Sequence, residues 1–158
     1  MHKVGLQKGG FYRHFKSKDD LFVEAVARAL EETGRSMEEF ARSAPDGEGL
    51  RAIIERYLSV GHANSPGSGC VRAALGPEIA RKPVAVRRRI EVLLRAYRVR
   101  LAPFMPGKTM EERIQNCGFL FSSMAGVMMM VRVMTNLERR EQTLIEARKM
   151  FLKCFGEG

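Results

Sequence analysis

From Ser17 to the C-terminus, apolar residues recur every three or four positions, with almost none of the alternation a strand requires. What interrupts this pattern is equally informative. Ala44-Pro45-Asp46-Gly47, the run Asn64-Ser65-Pro66-Gly67-Ser68-Gly69, and Pro103 with Pro106-Gly107 are stretches that helix interiors tolerate poorly. A chain divided in this way predicts an all-α fold. The expected helices run from Ser17 to about Arg42, Glu48 to His62, Cys70 to Arg81 with a kink at Gly76-Pro77, and Pro83 to about Phe104. Two more follow, from Thr109 to about Asn136 and from Glu138 to Phe155. Ser17 with Asp20, and Thr109 with Glu112, have the spacing at which a hydroxyl and a carboxylate cap a helix start reciprocally. In the first helix Leu21, Phe22, Ala25, Ala29 and Thr33, with Met37 and Phe40 beyond them, mark the expected inner face. In the second these are Leu50, Ile53, Ile54, Tyr57 and Leu58.

At 158 residues and 45% apolar, the chain is long enough for a real core. The start, MHKVGLQKGG, lacks the apolar region of a signal peptide. The longest apolar candidate, Cys117 to Val131, contains Ser122 and Ser123 and falls short of the ~18 residues of a membrane span. A cytoplasmic protein with no membrane partner is expected. Cys70, Cys117 and Cys154 are odd in number and far apart, which suits free thiols in a reducing compartment. No spacing suits a metal site, and no cofactor is implied. With three scattered histidines, no paired carboxylates and no nucleophile motif, no catalytic constellation can be assembled, so an enzyme is not expected.

The formal net charge of +9 suggests an anionic partner. It is concentrated in two places. Residues 1–20 carry five Lys/Arg against two Asp, and residues 81–100 carry eight against one Glu. In the second patch Arg87, Arg88 and Arg89 cannot share one helical face. With Arg95, Arg98 and Arg100 they read as a solvated surface, or alternatively as an auxiliary anion patch. The first patch is different in kind. In GLQKGGFYRHFKSKDDLF, from Gly5 to Phe22, Lys8, Arg13, Lys16 and Lys18 alternate with Tyr12 and His14. Cations supply charge for a phosphate backbone, while hydroxyl and ring N–H donors set register. Gly9 and Gly10 allow close backbone approach. Phe11 and Phe15, four apart, suit a short helix seated on its neighbours. These residues alone leave two readings open, a solvated basic arm ending in a helix cap, or a nucleic-acid-facing helix.

This stretch resembles the second half of the helix-turn-helix of TetR/AcrR-type repressors. In that family a glycine-hydrophobic turn leads into a recognition helix ending in Tyr-x-x-Phe, and Ser-Lys-x-x-Leu opens the next helix. Tyr12, His14, Phe15, Ser17, Lys18 and Leu21 stand at matching positions. The resemblance implies phosphate contacts from Tyr12, His14 and Lys18, with Lys8, Gly9 and Gly10 at base edges or the adjoining backbone of a double-stranded DNA operator. Gln7 departs from the Ser or Thr cap usual there, and Gln caps poorly. The family also carries a first helix and most of a second upstream, whereas only MHKV precedes Gly5. The expectation is a partial helix-turn-helix over residues 1–22 and a TetR-type helical ligand-binding and dimerisation domain over 23–158. GCVRAALGPEIAR, from Gly69 to Arg81, resembles a Gly-Cys, small-residue, Leu, acidic stretch found at this place in many such regulators.

The resemblance implies a ligand-responsive repressor that releases DNA on binding a small-molecule effector. The alternative is a ligand-binding and dimerisation module without independent DNA binding. Candidate pocket residues are Tyr57, His62, Cys70, Tyr97, Leu101, Phe104, Cys117, Phe121 and Met124, each also readable as ordinary core; His62, near a helix end, also reads as a surface or capping residue. A homodimer is implied through the last two helices. Gly118, Ser122 and Gly126 repeat every four residues, Phe121, Met124 and Met128 would add adaptable apolar surface, and Leu144, Ala147, Phe151 and Phe155 make the facing stripe. The residues by themselves also allow the methionines simply to fill a core.

Overall fold

The computed structural model describes residues 17–65 and 70–156. Seven α-helices and one 3-10 turn make up this part, with no strand among the described residues, so the all-α expectation holds. Helix α1, Lys18–Ser43, begins at Ser17, whose Oγ accepts from the Asp20 amide at 3.1 Å. Its core face is Val23, Val26, Leu30, Gly34, Met37 and Ala41. This is a different phase from the expected stripe: Leu21 and Phe40 are 36% and 39% exposed. Phe22 and Ala29 pack on the core margin. Both stripes repeat at helical spacing and share Met37. The one that wins contains Gly34, where an added Cβ would stand 3.1 Å from the Tyr97 ring, so α1 and the helix bearing Tyr97 approach closely at that point.

The expected second helix divides in two. Helix α2, Gly49–Tyr57, ends at Leu58, and α3, Val60–Asn64, starts anew with Ser59 as its cap, accepting from the His62 amide at 3.1 Å. Helix α4, Val71–Ala80, continues through Pro77. Helix α5, Val84–Leu101, passes into the 3-10 turn Ala102–Phe104. Helix α6, Met110–Val133, opens with the expected capping box: Thr109 Oγ1 accepts from the Glu112 amide at 3.2 Å, and Glu112 Oε2 accepts from the Thr109 amide at 3.1 Å. Helix α7, Leu137–Gly156, returns against α6 and α2.

Helix α6 is long and apolar enough, by length and composition, to cross a membrane, which the count of uninterrupted apolar residues had not suggested. Its apolar residues are used inside the bundle. Leu120, Phe121, Met124, Met128 and Val131 are fully buried and form the centre of the core. Phe121, Met124 and Met128 therefore supply core volume rather than the open surface expected of them. Phe121 stands edge-on to Tyr57 at 5.6 Å and to Tyr97 at 5.3 Å between ring centroids, an arrangement worth ~0.5–1.5 kcal/mol beyond area burial.

Ion pairs join α1 to α5. Arg100 bonds Glu31 at 2.6 Å and Glu38 at 3.0 Å, Arg89 bonds Asp20 at 2.6 Å, and Lys82, just ahead of α5, bonds Asp19 at 3.1 Å. Arg95 pairs with Glu111 at 3.1 Å, and Arg98 lies over Gly118. The second basic patch is thus partly neutralised by the neighbouring helices, while Arg87 and Arg88 are exposed. Asp19 and Asp20, in the first turn of α1, thereby anchor that helix to its neighbour.

Candidate functional site

A cavity of about 670 Å³ opens between α1, the α2–α3 break, the start of α4, and α5. That volume falls within the ~300–1,000 Å³ typical of small-molecule sites. Four of the nine candidate residues line it: Tyr57, His62, Cys70 and Tyr97. Their convergence depends on the break after Tyr57. A helix continued through Leu58 and Ser59 would carry His62 along the same axis; the turn brings it back over the end of α2.

His62 is held on both ring nitrogens. Nδ1 lies 2.6 Å from the Tyr57 carbonyl oxygen, and the Cys70 amide donates to Nε2 at 3.3 Å. This network assigns the proton to Nδ1, since Nε2 must accept. Burial lowers the imidazole pKa below its ordinary value, a trend the Tyr57 carbonyl partly opposes, so the ring is neutral at pH 7. Of the two readings its place near a helix end allowed, surface or capping, the contact with the Tyr57 carbonyl fits the second: His62 is a half-buried residue that closes the end of α2.

The two phenols behave similarly. Burial raises the pKa of Tyr57 and Tyr97 well above the usual tyrosine range, so both stay protonated. The Tyr57 hydroxyl is buried beside the Cys70 thiol yet has no partner at hydrogen-bonding geometry. Leaving such a group unpaired costs about 1–3 kcal/mol.

The remaining candidates lie elsewhere. Phe121 forms the layer behind Tyr57 and Tyr97. Leu101, Cys117 and Met124 are fully buried core. Burial pushes the Cys117 thiol up to about 12, leaving it protonated and inert. Phe104 lines a separate recess with Arg42 and Gly49. The sequence reading passed over Thr33, Met37, Arg56 and Arg72, which also line the cavity. Arg72 had left a signal: it is the one charge in the otherwise apolar Cys70–Leu75 stretch.

Among the nucleic-acid candidates, Lys18 is exposed at the first position of α1. Lys8, Gly9, Gly10, Tyr12 and His14 lie outside the described residues. Of the dimer candidates, Ser122 and Gly126 are exposed on α6, and Gly118 is covered by Arg98 of the same chain. Leu144 is 1% exposed, and Ala147 and Phe151 pack against the core margin, so this stripe is occupied within the chain. Apolar surface open to solvent lies on the same face of α6 as Ser122 and Gly126, at Phe119 (67% exposed), Met130 and Val133 (75%), with Leu137 and Met150 exposed on α7. No group of metal-binding side chains occurs among the described residues.

Residues 2–25 match the family model described as bacterial regulatory proteins, tetR family. No curated protein matches the chain.

Proposed function

We propose that this TetR-family transcriptional regulator acts in the cytoplasm as a ligand-responsive repressor. One observation carries the reading. The matched segment runs into α1, and α1 itself walls the cavity from Ala29 to Met37. A molecule filling the cavity therefore presses on the helix that continues from the DNA-facing segment. An effector shifts DNA affinity only so far as it binds the two positions of α1 unequally. In this reading Lys8, Gly9, Gly10, Tyr12, His14 and Lys18 face the operator, and two chains associate through α6 and α7. The apolar surface of Phe119, Met130 and Val133 supports such an association.

The test is retention of genomic DNA fragments by the purified chain across a salt series. Enrichment of one fragment with a steep salt slope, as counterion release requires, and its loss when a cavity ligand is added, supports the reading. Ligand binding with no fragment retained would reduce it to a sensing and dimerisation module. Substrate turnover would overturn it.

A further inference from the structure

Within the cavity, most polar groups are already engaged. His62 uses both ring nitrogens inside the chain, and the Thr33 hydroxyl donates to the Ala29 carbonyl at 2.6 Å. Arg56 donates to Ser36 at 3.1 Å and lies over Phe40. Arg72 is the exception. It projects from the first turn of α4, its guanidinium carbon 4.6 Å from the centre of the Tyr97 ring and 5.5 Å from that of Phe121. Both terminal nitrogens are shut off from water; the Tyr97 hydroxyl is near enough to feel the guanidinium, but neither nitrogen has an acceptor at hydrogen-bonding geometry. No carboxylate of the described residues is ion-paired with it, although arginines on α5 find Asp20, Glu31, Glu38 and Glu111. Glu32 is the one acid among the described lining residues, and it is exposed.

A guanidinium is always charged and presents a planar fork of donors. Aromatic faces offset part of the cost of removing it from water but satisfy none of its N–H groups. A carboxylate satisfies two at once, in the plane of the fork. The same cavity has apolar lining from Leu30, Met37 and Val71, and the Tyr57 hydroxyl is a second buried donor without a partner at hydrogen-bonding geometry.

We propose that the ligand of this cavity is a small organic carboxylate with an apolar body, its anionic end held by Arg72 and Tyr57. The inference rests on the effector-cavity reading above and names the ligand's chemistry. Binding turns the guanidinium from the two rings toward the anion, replacing ring contacts with charge-assisted hydrogen bonds while the apolar body lies along Leu30 and Met37. Because Tyr97 also packs on Gly34 of α1, the exchange takes place at a close approach of α1 and α5.

The test is calorimetric titration of the purified chain with benzoate and hexanoate, beside benzamide and hexanamide, which match them in shape but carry no charge. Wild type is expected to bind the acids at least about tenfold more tightly than the amides. Arg72→Met is expected to weaken acid binding by about thirtyfold or more, the usual scale for removing one side of a buried charge pair, and to weaken amide binding far less, since a neutral carbonyl loses only an ordinary hydrogen bond. Arg72→Lys keeps the charge without the fork and falls between. Thermal melts check that each variant is folded. Acids and amides binding alike would overturn the anion assignment and leave the effector cavity standing. Loss of acid binding in Arg56→Gln but not in Arg72→Met would also overturn it. If none of the four compounds binds, the carboxylate inference falls, and the effector-cavity reading is decided by the fragment-retention test above.

Discussion

His62 closes over Tyr57 twice: its Nδ1 lies 2.6 Å from the Tyr57 carbonyl oxygen, and its ring stands edge-on to the phenol at 4.7 Å between centroids. The carbonyl is one of those left without a helical partner where α2 ends. A side chain five residues on supplies the missing donor, so the turn that breaks the helix also satisfies it. Arg132 reinforces the turn from α6, donating to the His62 carbonyl at 3.1 Å.

Replacing His62 with Leu should therefore cost about 1–3 kcal/mol, because the Tyr57 carbonyl and the Cys70 amide both lose their partner. It should also change the pH dependence. Burial depresses the imidazole pKa below 6.5, so under acid the unfolded chain takes up a proton that the folded chain refuses. The stability this provides is present above 6.5 and is lost as pH falls toward the folded-state pKa. Urea denaturation at pH 7.5 and 5.5 should show a smaller acid loss in His62→Leu than in wild type; equal losses would refute the assignment.

Phe121 is the ring shared by Tyr57 and Tyr97. Phe121→Ala should destabilise the chain by about 3–5 kcal/mol, through lost transfer energy and the void left behind. Chemical denaturation measures this directly. A cost below about 1 kcal/mol would mean that the core can collapse around the gap.

The α1–α5 ion pairs should matter much less. Glu38 is held below the usual carboxylate range, first by its hydrogen bond to Arg42 and then, against some burial, by Arg100. A double-mutant cycle with Glu38→Gln and Arg100→Met should give a coupling of roughly 0.5–1 kcal/mol. The coupling should shrink in high salt, where a pair still partly open to solvent is partly screened. A coupling insensitive to salt would argue against an electrostatic origin.

Association should depend on the open face of α6. Sedimentation velocity should find wild type dimeric, with Phe119→Glu and Val133→Glu shifted to monomer while melting as cooperatively as wild type. Changing Leu144, which the core already buries, should instead lower stability. Dimers that survive both glutamates would place the contact on another face.

Much of the secondary structure was legible because its causes are local. The Thr109 capping box, the Ser17 cap, the stop at Pro45-Gly47 and the passage of α5 into Pro103 all rest on residues a few positions apart. The break after Tyr57 was not legible. Ser59 can cap a new helix or lie inside an old one, and the donor that makes the break favourable, His62, works only once the turn has formed. The inner face of α1 was misread for a related reason. Two stripes of similar hydrophobicity run along that helix, and the decisive residue, Gly34, has no side chain to register in an apolar count.

Sequence alone determined that this chain would fold as packed helices, where most of them would begin and end, and that its N-terminal segment is rich in basic and aromatic residues. Periodicity, capping and motif spacing are short-range properties, and a linear string records them fully. Only the tertiary structure decided which apolar residues become core and which stay open: it took Phe121, Met124 and Leu144 inside and left Phe119 and Val133 outside. It also brought Tyr57, His62, Arg72 and Tyr97, from four different helices, to one cavity. That arrangement depends on how helices rotate about their axes to pack. Burial couples those rotations across the whole core, so no single segment encodes them.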